Sequence, residues 1–375
     1  MALLHMALQW RPATDFFVLT VDHGLRPEAK REAEFVKDYC LKAGAAHRTL
    51  VWAPPKGNIS QARARDARHR MLATALRERG GSHLLLGHTL DDQYETVHMR
   101  AARGETGLAG MRALSVSPVW PEGRDIYLAR PLLGVRRSDL RRRLRDASVD
   151  WVEDPSNANQ NFERVRTRHV LAQETASAQN ALDARLKAAD KTRSQSDRRL
   201  AAWLAQHVDA YEDGLITCQP VGLGTDDLAK GLGHLLLIAS GTDKPAPLSG
   251  RLDLARDILA VPGKWRSRTL GGAWLAPRQG LVQIARDPGL APLAPDDAEM
   301  LRISGAIWDG RFEIGGIAPE RLKEHENREN EAISALAKRS YPVFLPPETT
   351  VNCLARGRLD SVIKVLGHET CVYAC

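Results

Sequence analysis

Cysteine is scarce in this chain: five in 375 residues, at positions 40, 218, 353, 371 and 375, and no two of them form a Cys-x-x-Cys pair. An odd, scattered set of this kind argues against a disulfide framework and for a reducing, cytoplasmic compartment. Long apolar runs are missing too. No stretch approaches the roughly 18 apolar residues of a membrane span, and no secretory leader is read, so no membrane partner is expected. One half of the chain has no charge excess: residues 176–375 carry 25 Lys+Arg and 25 Asp+Glu. The whole +7 therefore lies in residues 1–175, with 28 basic against 21 acidic side chains. A basic half suits a nucleotide or a polyanion such as tRNA, although an excess this mild does not decide the matter. What remains is ordinary for a soluble globular protein: 43% hydrophobic, 26% charged, and long enough for two or three domains.

The first half alternates strand and helix signals. Met1–Trp10 reads as a helix without a cap. Phe16–Val21 reads as a buried strand, 28–43 as an amphipathic helix, 47–52 as a strand and 58–79 as an arginine-rich helix. A short strand at 83–87 leads into another helix. That order predicts a parallel sheet wound with helices. Residues 173–213 read as a helical connector. Leu215–Gln219, a helix at 226–240 and Thr269–Ala285 then suggest a smaller mixed domain over 214–375.

The densest chemistry lies in His88-Thr-Leu-Asp-Asp-Gln-Tyr-Glu-Thr96, on the first turn of a helix that follows a strand. Open α/β sheets place their ligands at that end. Asp91, Asp92 and Glu95 share one helix face, where carboxylates could hold an ammonium group or a metal ion. The competing reading is structural, since acids in a first turn suit the helix dipole and Thr89 with Asp92 looks like a capping box. Three further stretches carry the same ambiguity. Asp22-His-Gly-Leu-Arg26 is either a turn closed by Gly24 or a portion of a site at the end of the first strand. Arg63, Arg65, Arg68 and Arg70 are either a solvated helix face or a brace for phosphate. The six arginines of 136–145 could contact an RNA backbone while Leu140 and Leu144 pack inward.

Taken as a string, residues 88–96 followed by Arg103-Gly-Glu-Thr-Gly-Leu-Ala-Gly-Met111 resemble the tRNA(Ile)-lysidine synthetases. These are PP-loop ATP-pyrophosphatases acting on the wobble cytidine of an isoleucine tRNA. Val21-Asp-His-Gly-Leu-Arg26, Ala64-Arg-Asp-Ala-Arg68, Glu153-Asp-Pro-Ser-Asn157 and Phe162-Glu-Arg-Val-Arg-Thr-Arg168 also match that family. Val165 stands where the family has Asn, and Gln61 where it often has Glu, so neither side chain is given a role. The matches end near Arg168, a little under half of the chain.

The resemblance implies a PP-loop catalytic domain over 1–172. It also implies ATP and Mg²⁺ as cofactors, and L-lysine and a tRNA(Ile) with a CAU anticodon as partners. A second copy of the chain is a further candidate partner. It assigns Asp92, Glu95, His88 and Arg68 to catalysis, with Asp92 and Glu95 holding or deprotonating the lysine amine. Asp22, His23, Arg65 and Asp91 fall to the nucleotide. Arg136, Arg137, Arg141, Arg142, Arg143, Arg164 and Arg168 fall to the tRNA. No metal centre is assigned: Cys353, His368, Cys371 and Cys375 lack the usual knuckle spacing.

The family's Ser-Gly-Gly-x-Asp-Ser phosphate loop is not found in this sequence, and Met1-Ala-Leu-Leu-His resembles the residues that follow it. The expectation is that a strand and loop of about 20–30 residues belong ahead of Met1. The chain starting at Met1 would then be poorly stable and inactive with ATP. Two alternatives follow: an inactive tRNA-binding protein, or another PP-loop tRNA enzyme such as a 2-thiocytidine synthetase. The second needs paired cysteines, and Cys40 stands alone in the catalytic half.

Overall fold

The structure is a computed structural model and describes residues 1–24, 28–53, 60–104, 109–153, 163–290, 306–308, 311–315 and 350–368. Arg26, residues 105–108, residues 154–162, Cys371 and Cys375 lie outside the described residues. The chain forms two compact units. One is Met1–Ser115 with Ile126–Gln195; the other is Val116–Asp125 with Ser196–His368.

In the first unit helix α1 (Ala2–Trp10) precedes β1 (Phe17–Asp22), α2 (Glu28–Lys42), β2 (Ala46–Val51), α3 (Gln61–Glu78), β3 (His83–Leu85) and α4 (Leu90–Ala102). Then come β4 (Leu114–Val116), β5 (Tyr127–Ala129), α5 (Arg137–Asp146) and α6 (Glu163–Ala172). Strands β1 and β2 pair in parallel from Phe17↔Ala46 to Asp22↔Val51. Strands β3 and β5 pair in parallel from His83↔Tyr127 to Leu85↔Ala129. Among the described residues these are separate ladders, where the alternation predicted one sheet.

The apolar pattern explains the packing. Leu72, Met71 and Ala75 of α3 meet Leu19, Val21, Leu50 and Leu84 from the strands. Leu90, Tyr94 and Val97 of α4 meet Leu171 of α6 and Leu182 and Leu186 of the next helix, α7 (Ala176–His207). Ser60 starts α3, its hydroxyl accepting from the Arg63 N–H at 3.2 Å. Gly24 closes β1 with φ +60°, a left-handed conformation suited to glycine, and its N–H donates to Asp22 Oδ1 at 2.8 Å.

The connector expected over 173–213 is mostly the single helix α7, with residues in both units. Its last residues are already sheet, because β6 (Val208–Ala210) pairs antiparallel with β7 (Ile216–Cys218). Helices α8 (Thr225–Ser240) and α9 (Leu248–Ala260) follow, then strands β8 (Arg268–Leu270), β9 (Ala273–Arg278) and β10 (Leu281–Arg286), in a sheet ordered β6-β7-β10-β9-β8. Strands β11 (Ala306–Trp308), β12 (Phe312–Gly315) and β13 (Thr350–Cys353) form a second antiparallel sheet, followed by α10 (Ala355–Gly367). The core of this unit joins Leu228, Leu232, Leu235 and Leu236 with Leu254, Ile216, Leu275 and Ile284, all at most 1% exposed. Each such side chain contributes about 1.5–3 kcal/mol by burial.

A division into two units differs from the three domains that the sequence predicts. The segment Val116–Asp125 belongs to the second unit because its side chains bind there. Trp120 lies 4.1 Å beneath the Arg358 guanidinium, Arg124 pairs with Glu313 at 2.7 Å, and Asp125 Oδ1 accepts from the Ser361 hydroxyl at 3.3 Å. Arg358 also donates to the Leu237 and Thr242 carbonyls at 2.7 Å each, satisfying backbone acceptors at the end of α8. No helix of the described residues is long and apolar enough to cross a membrane.

Candidate functional site

The first turn of α4 is held by the residues that make it acidic. Asp92 Oδ2 accepts from the Thr89 N–H at 2.8 Å and from the Thr89 hydroxyl at 2.7 Å, so this carboxylate caps its own helix. Its other oxygen faces Arg137 at 3.4 Å and Arg164 at 3.7 Å. Burial works to raise the Asp92 pKa; the Thr89 hydrogen bonds and the two arginines outweigh it, and the carboxyl sits below its ordinary value. Asp91 caps a different helix: its Oδ2 accepts from the Arg137 N–H at 2.7 Å, at the start of α5, and Oδ1 faces Arg136 at 3.4 Å.

Glu95 lies one turn further in and is 1% exposed. Its Oε2 accepts from Arg164 Nε at 2.8 Å and its Oε1 from Arg168 Nε at 2.9 Å, with Arg137 at 3.6 Å. A carboxylate this deep is tolerable only with such partners. The cluster thus joins α4, α5 and α6 through charge. Arg136 also stacks over the Tyr94 ring at 4.5 Å, and the Tyr94 hydroxyl donates to Asp183 of α7 at 2.7 Å.

A second group gathers at the C-terminal ends of β1 and β3. Burial lowers the pKa of His88 to about 4; Asp92 opposes the shift, while Arg130, Arg164 and Arg65 add to it. His69, 8% exposed on α3, is also lowered to about 4, first by burial and then by Arg65, Arg68 and Arg130. His23 is lowered by burial and by Arg68, against Asp22. All three imidazoles are neutral at pH 7, and each has a buried Nδ1 without a hydrogen-bond partner. Arg130 is 9% exposed and donates to the Arg112 carbonyl at 2.9 Å and the Ser115 hydroxyl at 3.0 Å. Arg65 and Arg68 are exposed on α3.

Next to these groups is a cavity of about 440 Å³. Thr89, Asp92, Arg137, Arg141, Arg164 and Arg168 supply its polar wall, and Leu132, Leu140, Leu144 and Trp151 much of its apolar one. That volume falls in the range of small-molecule sites. A smaller cavity of about 140 Å³ lies along the same helix, lined by Asp91, Tyr94, Glu95, Arg136, Arg168 and Gln179, among others.

Residues 109–111, between α4 and β4, are held by three side chains. Gln93, 1% exposed, accepts from the Met111 N–H at 2.5 Å and donates to the Met111 carbonyl at 3.1 Å. Arg100 reaches the Ala109 carbonyl at 2.7 Å, and Arg193 of α7 the Gly110 carbonyl.

The structure therefore brings Asp91, Asp92, Glu95, Arg136, Arg137, Arg164 and Arg168 into one ion cluster, with His88 coupled electrostatically to Asp92, Arg164 and Arg65. Asp22, His23 and Arg68 form a neighbouring group. Arg141, Arg142 and Arg143 stay on the exposed face of α5, beside Glu153 at 2.7 Å, Asp139 at 2.9 Å and Gln9 at 3.4 Å. Sequence reasoning does not single out His69, Gln93, Arg130 or Arg193. For His69 the available signal is its place directly after Arg68; for the others only distant contacts reveal the role. Of the cysteine–histidine set, Cys371 and Cys375 lie outside the described residues.

A family model described as a PP-loop domain matches residues 1–175. The tRNA(Ile)-lysidine synthase of Hyphomonas neptunium is 40% identical over 316 residues, covering 83% of this chain and 84% of that protein. The Brucella anthropi enzyme of the same name is 42% identical over 82% of this chain and 68% of its own. The Mesorhizobium japonicum enzyme is 37% identical over 79% of this chain and 64% of its own. With an α/β unit built on parallel strands, an acidic helix start at a strand's C-terminal end, and this similarity continuing well past residue 175, the chain belongs to the tRNA(Ile)-lysidine synthase family.

Proposed function

We propose that the chain ligates L-lysine to C2 of the wobble cytidine in a tRNA(Ile) with a CAU anticodon, at the expense of ATP. In the first step the C2 oxygen attacks the α-phosphorus of ATP and pyrophosphate leaves. In the second the lysine ε-ammonium first gives a proton to solvent, the free amine attacks C2, the C2–O bond breaks, AMP departs, and a further N–H proton passes to solvent. Adenylation is needed because the C2 oxygen alone is a poor leaving group.

The observation that carries this reading is the division of labour within the acidic turn. Asp92 lines the large cavity, with Oδ2 capping α4 and Oδ1 facing Arg137 at 3.4 Å and Arg164 at 3.7 Å. Its lowered pKa keeps it anionic at neutral pH, suited to hold an ammonium group beside the reacting base. Glu95, with both oxygens taken by arginines, holds Arg164 and Arg168 at the cavity wall, where they can meet phosphate. Neutral His88 offers a hydrogen bond without adding positive charge. Arg65 and Arg68 serve the nucleotide, and Mg²⁺ would arrive on the ATP phosphates. Magnesium held in that way needs only one or two protein carboxylates, and Asp22 is the one at the end of β1. Arg141, Arg142 and Arg143 offer an exposed face for the tRNA, and the cytoplasm is the compartment that supplies it.

The test is ATP-dependent incorporation of labelled lysine into the tRNA, together with pyrophosphate release. Asp92→Asn should keep the helix cap, raise the KM for lysine and spare pyrophosphate release. Glu95→Gln should impair both steps by loosening Arg164 and Arg168. Stable tRNA binding without pyrophosphate release by the wild-type chain would replace this function with the inactive RNA-binding one.

A further inference from the structure

Helix α1 ends in an aromatic side chain that is open to solvent: Trp10 is 71% exposed. Indoles of this size are usually covered, because few side chains gain as much from burial. The surroundings are cationic. The Arg11 guanidinium lies 5.4 Å from the Trp10 ring centroid. Gln9, the preceding residue, accepts from Arg143 of α5 at 3.4 Å, across the contact between α1 and α5. Arg145 is exposed on the same helix. Asp139 and Glu153 pair with Arg142 and Arg141, whereas among the described residues Arg11, Arg143 and Arg145 form no ion pair.

An uncovered indole beside guanidinium groups that lack carboxylate partners has both ingredients of a single-strand nucleic-acid contact. The aromatic face takes a base, and the cations take backbone phosphates. An apolar protein patch would gain nothing from the unpaired guanidiniums, so the charge favours a polyanion as occupant. We propose that Trp10 is a stacking platform for an unpaired base of the tRNA substrate, with Arg11 and Arg143 meeting the adjoining phosphates. This rests on reading the chain as a tRNA enzyme and adds a contact on α1 to the arginine face of α5. Stacking involves no net charge and releases no counterions, so its contribution is insensitive to salt. The guanidinium contacts are salt-dependent.

The experiment is a binding titration of the full chain with a tRNA(Ile) transcript carrying CAU, over roughly 50–200 mM KCl. Trp10→Ala should weaken binding about tenfold at every salt concentration and leave the slope of log K against log salt unchanged. Trp10→Phe should retain most of the affinity, and Trp10→Leu, apolar but without an aromatic face, should behave like the alanine variant. Arg11→Ala and Arg143→Ala should each reduce the slope by about one. Wild-type binding that survives Trp10→Ala and Trp10→Leu unchanged would overturn the stacking role and leave the tRNA function standing. A wild-type chain that does not bind the transcript would overturn both. A Trp10 variant that alters the sedimentation of the RNA-free protein would reassign the side chain to a contact between copies.

Discussion

At Gly110 an added Cβ would overlap the side-chain amide of Gln93, which lies flat against the backbone there. That amide is fixed, since its oxygen and nitrogen both bind Met111 and the residue is 1% exposed. The glycine before Met111 in the family-like string thus has a physical cause, the room needed by an amide on the helix α4. Gly110→Ala should therefore lower the unfolding free energy by about 1–3 kcal/mol, by straining Gln93 or leaving Met111 unpaired. Denaturant titration of the two proteins checks this, and an unchanged midpoint would show that the loop shifts freely. Asp92 and Glu95 teach a similar lesson. The capping and functional readings of Asp92 are not exclusive, because Oδ2 caps the helix while the residue also lines the cavity and its Oδ1 faces Arg137 and Arg164. Glu95 reads from sequence as a second amine ligand, but its pairing with arginines 69 and 73 positions later leaves it no free oxygen.

Among the elements, α5 separates its roles by face. Leu140 and Leu144 are buried as their spacing predicts, Arg136 and Arg137 turn to the acids of α4, and Arg141, Arg142 and Arg143 remain exposed. Exposed pairs such as Arg142 with Asp139 are worth under about 1 kcal/mol, so these arginines can exchange partners for phosphate at little cost. Replacing Arg141, Arg142 and Arg143 by Ala should weaken tRNA binding and flatten its salt dependence by about 0.9 for each phosphate no longer neutralised. Binding measured across a salt series decides it, and an unchanged slope would remove α5 from the RNA surface. The helices and strands up to α4 are legible in the sequence because their periods and Gly24 are local signals. Strands β4 and β5 are as short as β3, but neither leads directly into a helix start as β3 does at Thr89, so nothing next to them marks them out. Asp91 capping α5 from 46 positions away is not a local signal either.

For the whole molecule, the neutral histidines set a pH dependence. His69 and His88 titrate near 4 when folded, against 6.5 for an exposed imidazole. Between those values the unfolded chain binds more protons, so stability rises with pH across that window and is lost as pH falls from 6.5 towards 4. The slope should approach about 1 kcal/mol per pH unit for each histidine. Asp92, with its lowered pKa, acts in the same direction at still lower pH. His69→Gln should flatten the profile of unfolding free energy against pH in that window. An unaltered profile would mean that the imidazole is solvated. The excursion of residues 116–125 has a different kind of consequence. Asp125 and its partner Ser361 are 236 positions apart, so a ribosome delivers one long before the other. Through most of synthesis Trp120 waits without the Arg358 guanidinium that later lies over its ring, and β4 and β5 are separated along the chain by a segment that belongs to the other unit. A gene cut at residue 195 would release an early half carrying an orphaned strip and a late half missing a piece of its wall. The order of translation is thereby written into the fold, and the two units are inherited together.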